Sequence, residues 1–431
     1  MKINNHTKTS NETKIPIEGY SFRWWSFTRF KNSFTALKYP NYRMWFYGQM
    51  ISLFGSWMQR TAQGFFIFEL THSPVYLGIT GFAAGIPTWL FMMYGGVVAD
   101  RIPRRTLLLI TQTSMMVLAL SLAVITFLGI AQPWHIILFA FGLGVATAFD
   151  APARQSFVLE MVEREDLTNA IALNSTMFNS ATAVGPAAGG LVYAAFGPAW
   201  CFTIDGVTFL AVIFALSKMK LKKFEKPERK NSVISDLKEG MKYVWHHKVV
   251  RTIITMVGIS TMLGISFATL LPAWAVKILN GDATTNGILQ SARGIGALMG
   301  ALFIALLGRF KFKGRLFTIG SLCFPALIIL FAFIRNEAFS LLALIGVGIS
   351  LMFVFNMANA LIQTIVPDQL RGRIMGIYSL SFFGMMPIGA LWAGFFAEHV
   401  NEPTAIIVDA IILFGFSAII WLFVPDIRAQ E

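Results

Sequence analysis

Twelve apolar runs dominate this chain, each close to the roughly twenty residues a helix needs to cross a bilayer. They cover 44–68, 75–98, 106–128, 134–153, 169–195, 198–217, 250–275, 285–307, 316–334, 338–362, 375–397 and 404–424. Backbone inside lipid must satisfy its own hydrogen bonds, so runs of this kind can only be helices. The expected fold is an all-α membrane protein of twelve transmembrane helices. Composition agrees: 55% of the 431 residues are hydrophobic and only 13% are charged. A water-soluble chain carries about 25% charged residues.

One long polar segment divides the runs six and six. The expected organisation is a tail at 1–43, a first six-helix bundle at 44–217, a linker at 218–249, a second bundle at 250–424 and a tail at 425–431. In the linker, Val233, Leu237, Met241 and Val244 fall on one face at helical spacing. This predicts an amphipathic surface helix over 232–247, with Ser232 as its N-cap. The stretch "SFRWWSFTRF" in the first tail reads as an interfacial anchor. With the N-terminus inside, 31 of the 35 Lys and Arg lie on the cytoplasmic side. Only Lys277 and Arg335 lie on the other, and Arg60 and Arg293 lie within the spans. The asymmetry places both termini in the cytoplasm. It also accounts for the net charge of +13 without nucleic acid.

Several chemistries are excluded. Residues 1–43 hold no apolar core of a secretory signal. Cys201 and Cys323 lie in apolar runs and read as packing residues. The six histidines are scattered, which predicts no metal site, and no cofactor motif or phosphate-binding loop is present. No clustered nucleophile and base point to an enzyme.

The halves look alike. "QSFVLEMVEREDLTNAIAL" (155–173) and "QTIVPDQLRGRIMGIYSL" (363–380) each follow an even-numbered span. "PAWCFTID" (198–205) and "PTAIIVD" (403–409) each open the last span of a half and set an aspartate two turns in. Repeated six-helix halves are a common transporter architecture, with substrate bound between them near the midplane. Asp205 and Asp409 are thus either proton carriers or caps on neighbouring backbone.

The loop after the second span reads "GGVVADRIPRRTLLL" (95–109). Its Gly96, Asp100, Arg101, Arg104 and Arg105 resemble the G-x-x-x-D-R-x-x-R-R signature of the major facilitator superfamily, with Pro103 where a glycine is usual. The likeness extends over the whole chain. It implies two pseudo-symmetric bundles and a cytoplasmic latch. In that latch Asp100 meets the start of the eleventh span near Arg373, and the arginines pair with the fourth span at Asp150, next to Arg154. The alternative is ordinary positive-inside charge. "ATAVGPAAGG" (181–190) in the fifth span is similar to the superfamily's antiporter motif through Gly185, Pro186, Gly189 and Gly190, with Ala181 in place of the first glycine. That likeness implies export; the alternative is a packing seam alone. "DAPARQSFVLEMV" (150–162) and "RGRIMGIYSLSFFGMMPIGA" (371–390) resemble the branch of siderophore exporters of the enterobactin type and macrolide-efflux proteins.

Arg60 sits where a bilayer should be. A charge at the centre of a span costs about 2.5–3.5 kcal/mol on insertion scales. Gln49, Ser56, Gln59, Arg60 and Gln63 recur at steps of three and four and are expected to line a wet central cavity. Arg293 and Gln290 repeat the theme from the second half. Two guanidinium groups suit an anionic or oxygen-rich ligand; the competing reading is internal ion pairs. Asn174, Asn179, Asn356 and Asn359 are further polar candidates.

The expected function is secondary export of a small siderophore- or antibiotic-like molecule by alternating access. Protons would supply the energy, and a monomer is expected, in the cell membrane (the inner membrane if the source is Gram-negative). An importer of an anionic solute, a membrane enzyme and a non-transporting sensor or scaffold compete with it.

Overall fold

A computed structural model describes residues 34–219, 233–308 and 310–430. The interfacial stretch at 21–30 and Ser232 lie outside them. No strand occurs among the described residues. The first half holds α1 (Pro40–Thr71), α2 (Pro74–Arg101), α3 (Arg104–Phe127), α4 (Pro133–Met161), α5 (Leu167–Phe196) and α6 (Pro198–Lys218). A linker helix, α7 (Val233–His246), follows. The next stretch changes pitch: α8 (Lys248–Ile259) passes through a π segment (Ser260–Ile265) and a 3-10 segment (Ser266–Leu270) into α9 (Leu271–Lys277). Pro272 stands at the start of α9. Its missing N–H interrupts the α ladder and lets the preceding turns relax. The chain ends with α10 (Ala283–Leu307), α11 (Lys313–Phe333), α12 (Glu337–Ile365), α13 (Asp368–Val400) and α14 (Glu402–Phe423).

Boundaries follow local chemistry. Pro40, Pro74, Pro133 and Pro198 sit in the first turn of their helices, where a missing N–H costs nothing. Side-chain caps open α10, α12 and α14: Asp282 accepts from Thr284 and Thr285, Asn336 from Phe339, and Asn401 from Thr404.

Ten helical stretches among the described residues are long and apolar enough to cross a membrane. α1 and α5, of 32 and 30 residues, match them in length but are more polar. They carry Gln49, Gln59, Arg60, Gln63, Asn174 and Asn179. Many large apolar side chains point outward, including Phe214, Leu306, Phe333 and Phe423, as a lipid-solvated surface requires.

The same pairing recurs in both halves. In the first, α2 and α3 pack on α4, α3 on α6, and α1 on α5 and α6. In the second, α10 and α11 pack on α12, α11 on α14, and the 248–277 stretch on α13 and α14. The halves meet along α5 with α10 and α2 with α13.

At the end bearing the chain termini, the segment before α1 is tied to the α4–α5 connection. Lys38 Nζ lies 2.6 Å from Asp166 Oδ2, and the Tyr39 hydroxyl donates to the same oxygen at 2.8 Å. These contacts, Lys38 first, hold the Asp166 carboxyl below its ordinary value of 3.8. A depressed carboxyl contributes fully above that value, and the contribution is lost as pH falls through the folded-state value. Amide exchange over 34–39, corrected for intrinsic rates, is therefore expected to accelerate below about pH 4. Lys38→Ala should weaken that step.

Candidate functional site

Among the described residues, the close approaches between the halves run from the end away from the termini to about the middle of the helices. On the end away from the termini, a Cβ at Gly78 of α2 would lie 2.8 Å from the Ala390 carbonyl oxygen of α13, and one at Gly85 would lie 2.9 Å from Pro387. Glu398 at the end of α13 accepts from the Ser73 hydroxyl at 2.7 Å and the Val75 amide at 3.4 Å. It thereby stitches α13 to the start of α2. Toward the termini the same helices part. Gly96 of α2 and Gly372 and Gly376 of α13 meet nothing within 4 Å.

The α5–α10 seam follows from one proline. Pro186 has no N–H, so it leaves the carbonyl four residues back, at Thr182, without its helical partner. Gly294 of α10 approaches that carbonyl, where a Cβ would sit 2.3 Å away. The next amide, Ala187, donates to Ser291 of α10 at 2.8 Å. Gly190 meets Ala283 and Gly287 equally closely. Two motif glycines face α1 instead: Gly185 meets Trp57, and Gly189 meets Met58. A cavity of about 550 Å³ remains at this closed end, with Phe65, Phe68, Glu69, His72, Tyr193 and Asp282 in its wall. There Tyr193 donates to Glu69.

Arg60 lies between the contact faces of α1. On α1, Gln63 donates to the Ile136 carbonyl of α4 at 3.0 Å. Thr61 donates to Gln290 of α10 at 3.5 Å, and Gly64 abuts Pro272. At 100° per residue, Arg60 projects between the α4-facing side and the side that meets the other half. It is exposed, and no carbonyl or carboxylate among the described residues accepts from it. Its guanidinium lies over the Trp57 ring, 5.3 Å from the centroid, a cation–π contact. The internal ion pair considered from sequence is therefore not what holds it. Arg293 projects likewise, between the α10 face bearing Gln290 and the face whose Gly296 and Gly300 pack on α12. It is half-buried, and its Nε has no partner.

The rest of the α1 stripe departs from expectation. Gln49, Gln59 and Gln63 are 3%, 2% and 6% exposed, so they do not line the open cavity. Gly48 and Gly55 bring α1 so close to α6 that these neighbouring polar groups are enclosed within the first half. Ser56 donates to Asp205 at 3.2 Å, and Thr208 is a second hydroxyl 3.5 Å from that carboxylate. Asp409 accepts from Trp392 Nε1 of α13 at 3.0 Å. Both aspartates thus take side-chain donors rather than capping backbone. Asn174 accepts from the Tyr42 hydroxyl, tying α5 to α1, and Asn179 donates to the Ser175 carbonyl of its own helix. Asn356 is exposed on α12, and Asn359 accepts from Gln363 one turn on.

The arginines at the α2–α3 turn also find different partners. Arg104 pairs with Glu160 at the end of α4, not with Asp150, and Arg105 donates to the Ser217 carbonyl. Asp150 is buried, where it pairs with Arg154 at 3.3 Å and accepts from Thr111 and Gln112 of α3. Arg373 holds Glu239 of α7 at 2.6 Å. The reason is local: Asp150 points into its own bundle, whereas Glu160 reaches the helix end where Arg104 emerges.

Sequence reasoning missed Trp57, Phe178, Ser291, Gly287, Gly294 and the α2–α13 glycines. Small residues at steps of three and four (78, 81, 85; 287, 291, 294) were the available signal.

A family model described as "transmembrane secretion effector", of the major facilitator superfamily, matches residues 31–431. The chain belongs to that family. This major facilitator protein is a multi-pass membrane transporter rather than an enzyme. It is similar to the staphyloferrin A transporter of Staphylococcus aureus, at 24% identity over 80% of this chain and 87% of the relative. The multidrug efflux pump Tap of Mycolicibacterium fortuitum is 24% identical over 82% and 88%. The enterobactin exporter EntS of Escherichia coli is 24% identical over 83% and 85%. The fold matches a crystal structure of a bacterial homolog of the lysosomal transporter Spinster in an inward-facing, occupied conformation, with TM-score 0.69, 12% identity and coverage of 90% and 98%.

Proposed function

We propose that this transporter is a proton-coupled exporter of a small siderophore- or antibiotic-like molecule, working by alternating access. Twelve spans, two six-helix bundles at 44–217 and 250–424 and cytoplasmic termini complete the reading, and the working unit is a monomer. The positive-inside asymmetry supports the orientation. One observation carries the mechanism: among the described residues the close approaches between the halves gather toward the end away from the termini, and Arg60 is exposed, which supports reading it as a group of the open side. That is the geometry of a carrier loading from the cytoplasm. Relatives named as exporters or efflux pumps support the direction.

Two groups are assigned to the proton: Asp205, 2% exposed with hydroxyl partners only, and Asp409, 4% exposed under Trp392. In the loading form Arg104 and Arg373 are held by Glu160 and Glu239. Closing the cytoplasmic end would bring Asp100, Arg101 and Arg105 toward the start of α13, forming the latch there.

The test is accumulation of labelled siderophores and hydrophobic antibiotics by inside-out vesicles under an imposed proton gradient. Accumulation supports export, whereas uptake by right-side-out vesicles makes the protein an importer. Asp205→Asn is expected to keep downhill substrate exchange and to lose its acceleration by the gradient, because an amide carries no exchangeable charge. Undiminished acceleration in Asp205→Asn, and likewise in Asp409→Asn, would remove both groups from the proton path.

A further inference from the structure

Gly185 makes room for a particular side chain. A Cβ there would sit 2.6 Å from the Cβ of Trp57, closer than two carbons can approach without movement. With glycine in place, the indole stands edge-on to Phe178 of α5, with centroids 5.8 Å apart and planes at 76°. Its face lies beneath the Arg60 guanidinium. Phe178 and Arg60 are both exposed. The Asp205 carboxylate accepts from Ser56, while the Thr208 hydroxyl donates chiefly to the Asp205 backbone carbonyl, and nothing among the described residues accepts from Arg60.

This geometry selects a ligand. The guanidinium carbon sits over the indole face, and with no acceptor among the described residues its N–H donors remain to be used. Such an edge matches a planar oxyanion. A ring joined to that oxyanion would extend over the exposed Phe178 and the free edge of Trp57, where ring–ring contact is favourable. An aliphatic polyanion would satisfy the guanidinium and leave the aromatic surface wet. A neutral ring would cover the aromatics and leave a desolvated cation without an acceptor.

We propose that Arg60, Trp57 and Phe178 form a binding shelf for an aromatic oxyanion, a ring bearing a carboxylate or adjacent phenolate oxygens. Trp57 and Phe178 determine specificity for the ring. Gly185 is a positioning residue acting through Trp57. The inference rests on the reading of this cavity as the transport site.

The test is equilibrium dialysis of the full chain in lipid nanodiscs with labelled salicylate and labelled citrate. Salicylate should bind, and citrate should bind at least about tenfold more weakly. Trp57→Leu should weaken salicylate about tenfold, while Trp57→Phe should retain most of the affinity. Gly185→Ala should match Trp57→Leu, and Phe178→Leu should cost about threefold to tenfold. Thermal unfolding of each variant establishes that it is folded. Citrate binding as well as salicylate, salicylate affinity unchanged in folded Trp57→Leu, or no binding of either probe would each overturn the shelf. Vesicle export is scored separately. Salicylate binding without gradient-driven export sinks the proposed function and leaves the shelf standing; export without salicylate binding does the reverse.

Discussion

Arg60→Ala should stop export while leaving the protein at least as stable as before. Among the described residues the guanidinium makes no hydrogen bond or ion pair, and it lies over the Trp57 ring. Removing it sacrifices one cation–π contact, worth about 0.5–1 kcal/mol at an exposed site. Against that, a charge in the middle of a span costs about 2.5–3.5 kcal/mol. The fold therefore has no reason to weaken. Ligand recognition does. Truncating one side of a desolvated charge pair costs about 2–5 kcal/mol, a fall of roughly thirtyfold to several-thousandfold in affinity. Arg60→Lys should fall between wild type and alanine, since an ammonium keeps the charge but not the planar fork. Export from proteoliposomes, read beside the unfolding midpoint, separates the two effects. A normal rate in Arg60→Ala would take Arg60 out of the substrate path, and a rate lost together with the fold would make it structural.

The second large effect is expected at the α5–α10 seam. A Cβ at Gly190 would sit 2.4 Å from the Ala283 carbonyl oxygen, and one at Gly287 would sit 2.5 Å from that of Pro186. The obstructing atoms are backbone and cannot swing aside as a flexible side chain can. Gly190→Leu should therefore hold the outer ends apart. Overpacking of this kind costs about 1–3 kcal/mol. That cost falls only on the form in which the ends touch, so the equilibrium should move roughly fivefold to 150-fold toward the form open on that side. Spin labels at Phe196, the last residue of α5, and Phe339, in the first turn of α12 on the other half, should report a longer mean distance, and export should fall with it. An unchanged distance distribution would mean that the seam does not set the state of the carrier.

Much of the fold could be read before any coordinates. Apolar run lengths located most helix ends to within about four residues but stopped short of Met161 and began late of Asp368, where the helices run on into polar sequence, and prolines marked several of their starts. The seventh span was read as one run, 250–275, yet it contains a π and a 3-10 segment. Pitch within an apolar run leaves little trace in composition. The functional stripe on α1 shows a sharper limit. Helical spacing put Gln49, Ser56, Gln59, Arg60 and Gln63 near one face, but that face is wide. Close approach at Gly48 and Gly55 turns part of it into the bundle and leaves Arg60 exposed. The partners of Arg104 and Asp150 were misassigned because both carboxylates, 150 and 160, lie on α4, and only the packing of α3 says which one is buried.

By itself the sequence determined that this chain lives in a bilayer and that guanidinium groups set within apolar runs demand a wet or polar neighbourhood. These follow from transfer free energies, which depend on residue type and order alone. Tertiary structure decided which polar groups are enclosed within a bundle, where the two halves approach most closely, and that an indole made room for by Gly185 lies under Arg60. Those depend on how closely two backbones approach, and that distance is set by side chains from segments more than a hundred residues apart.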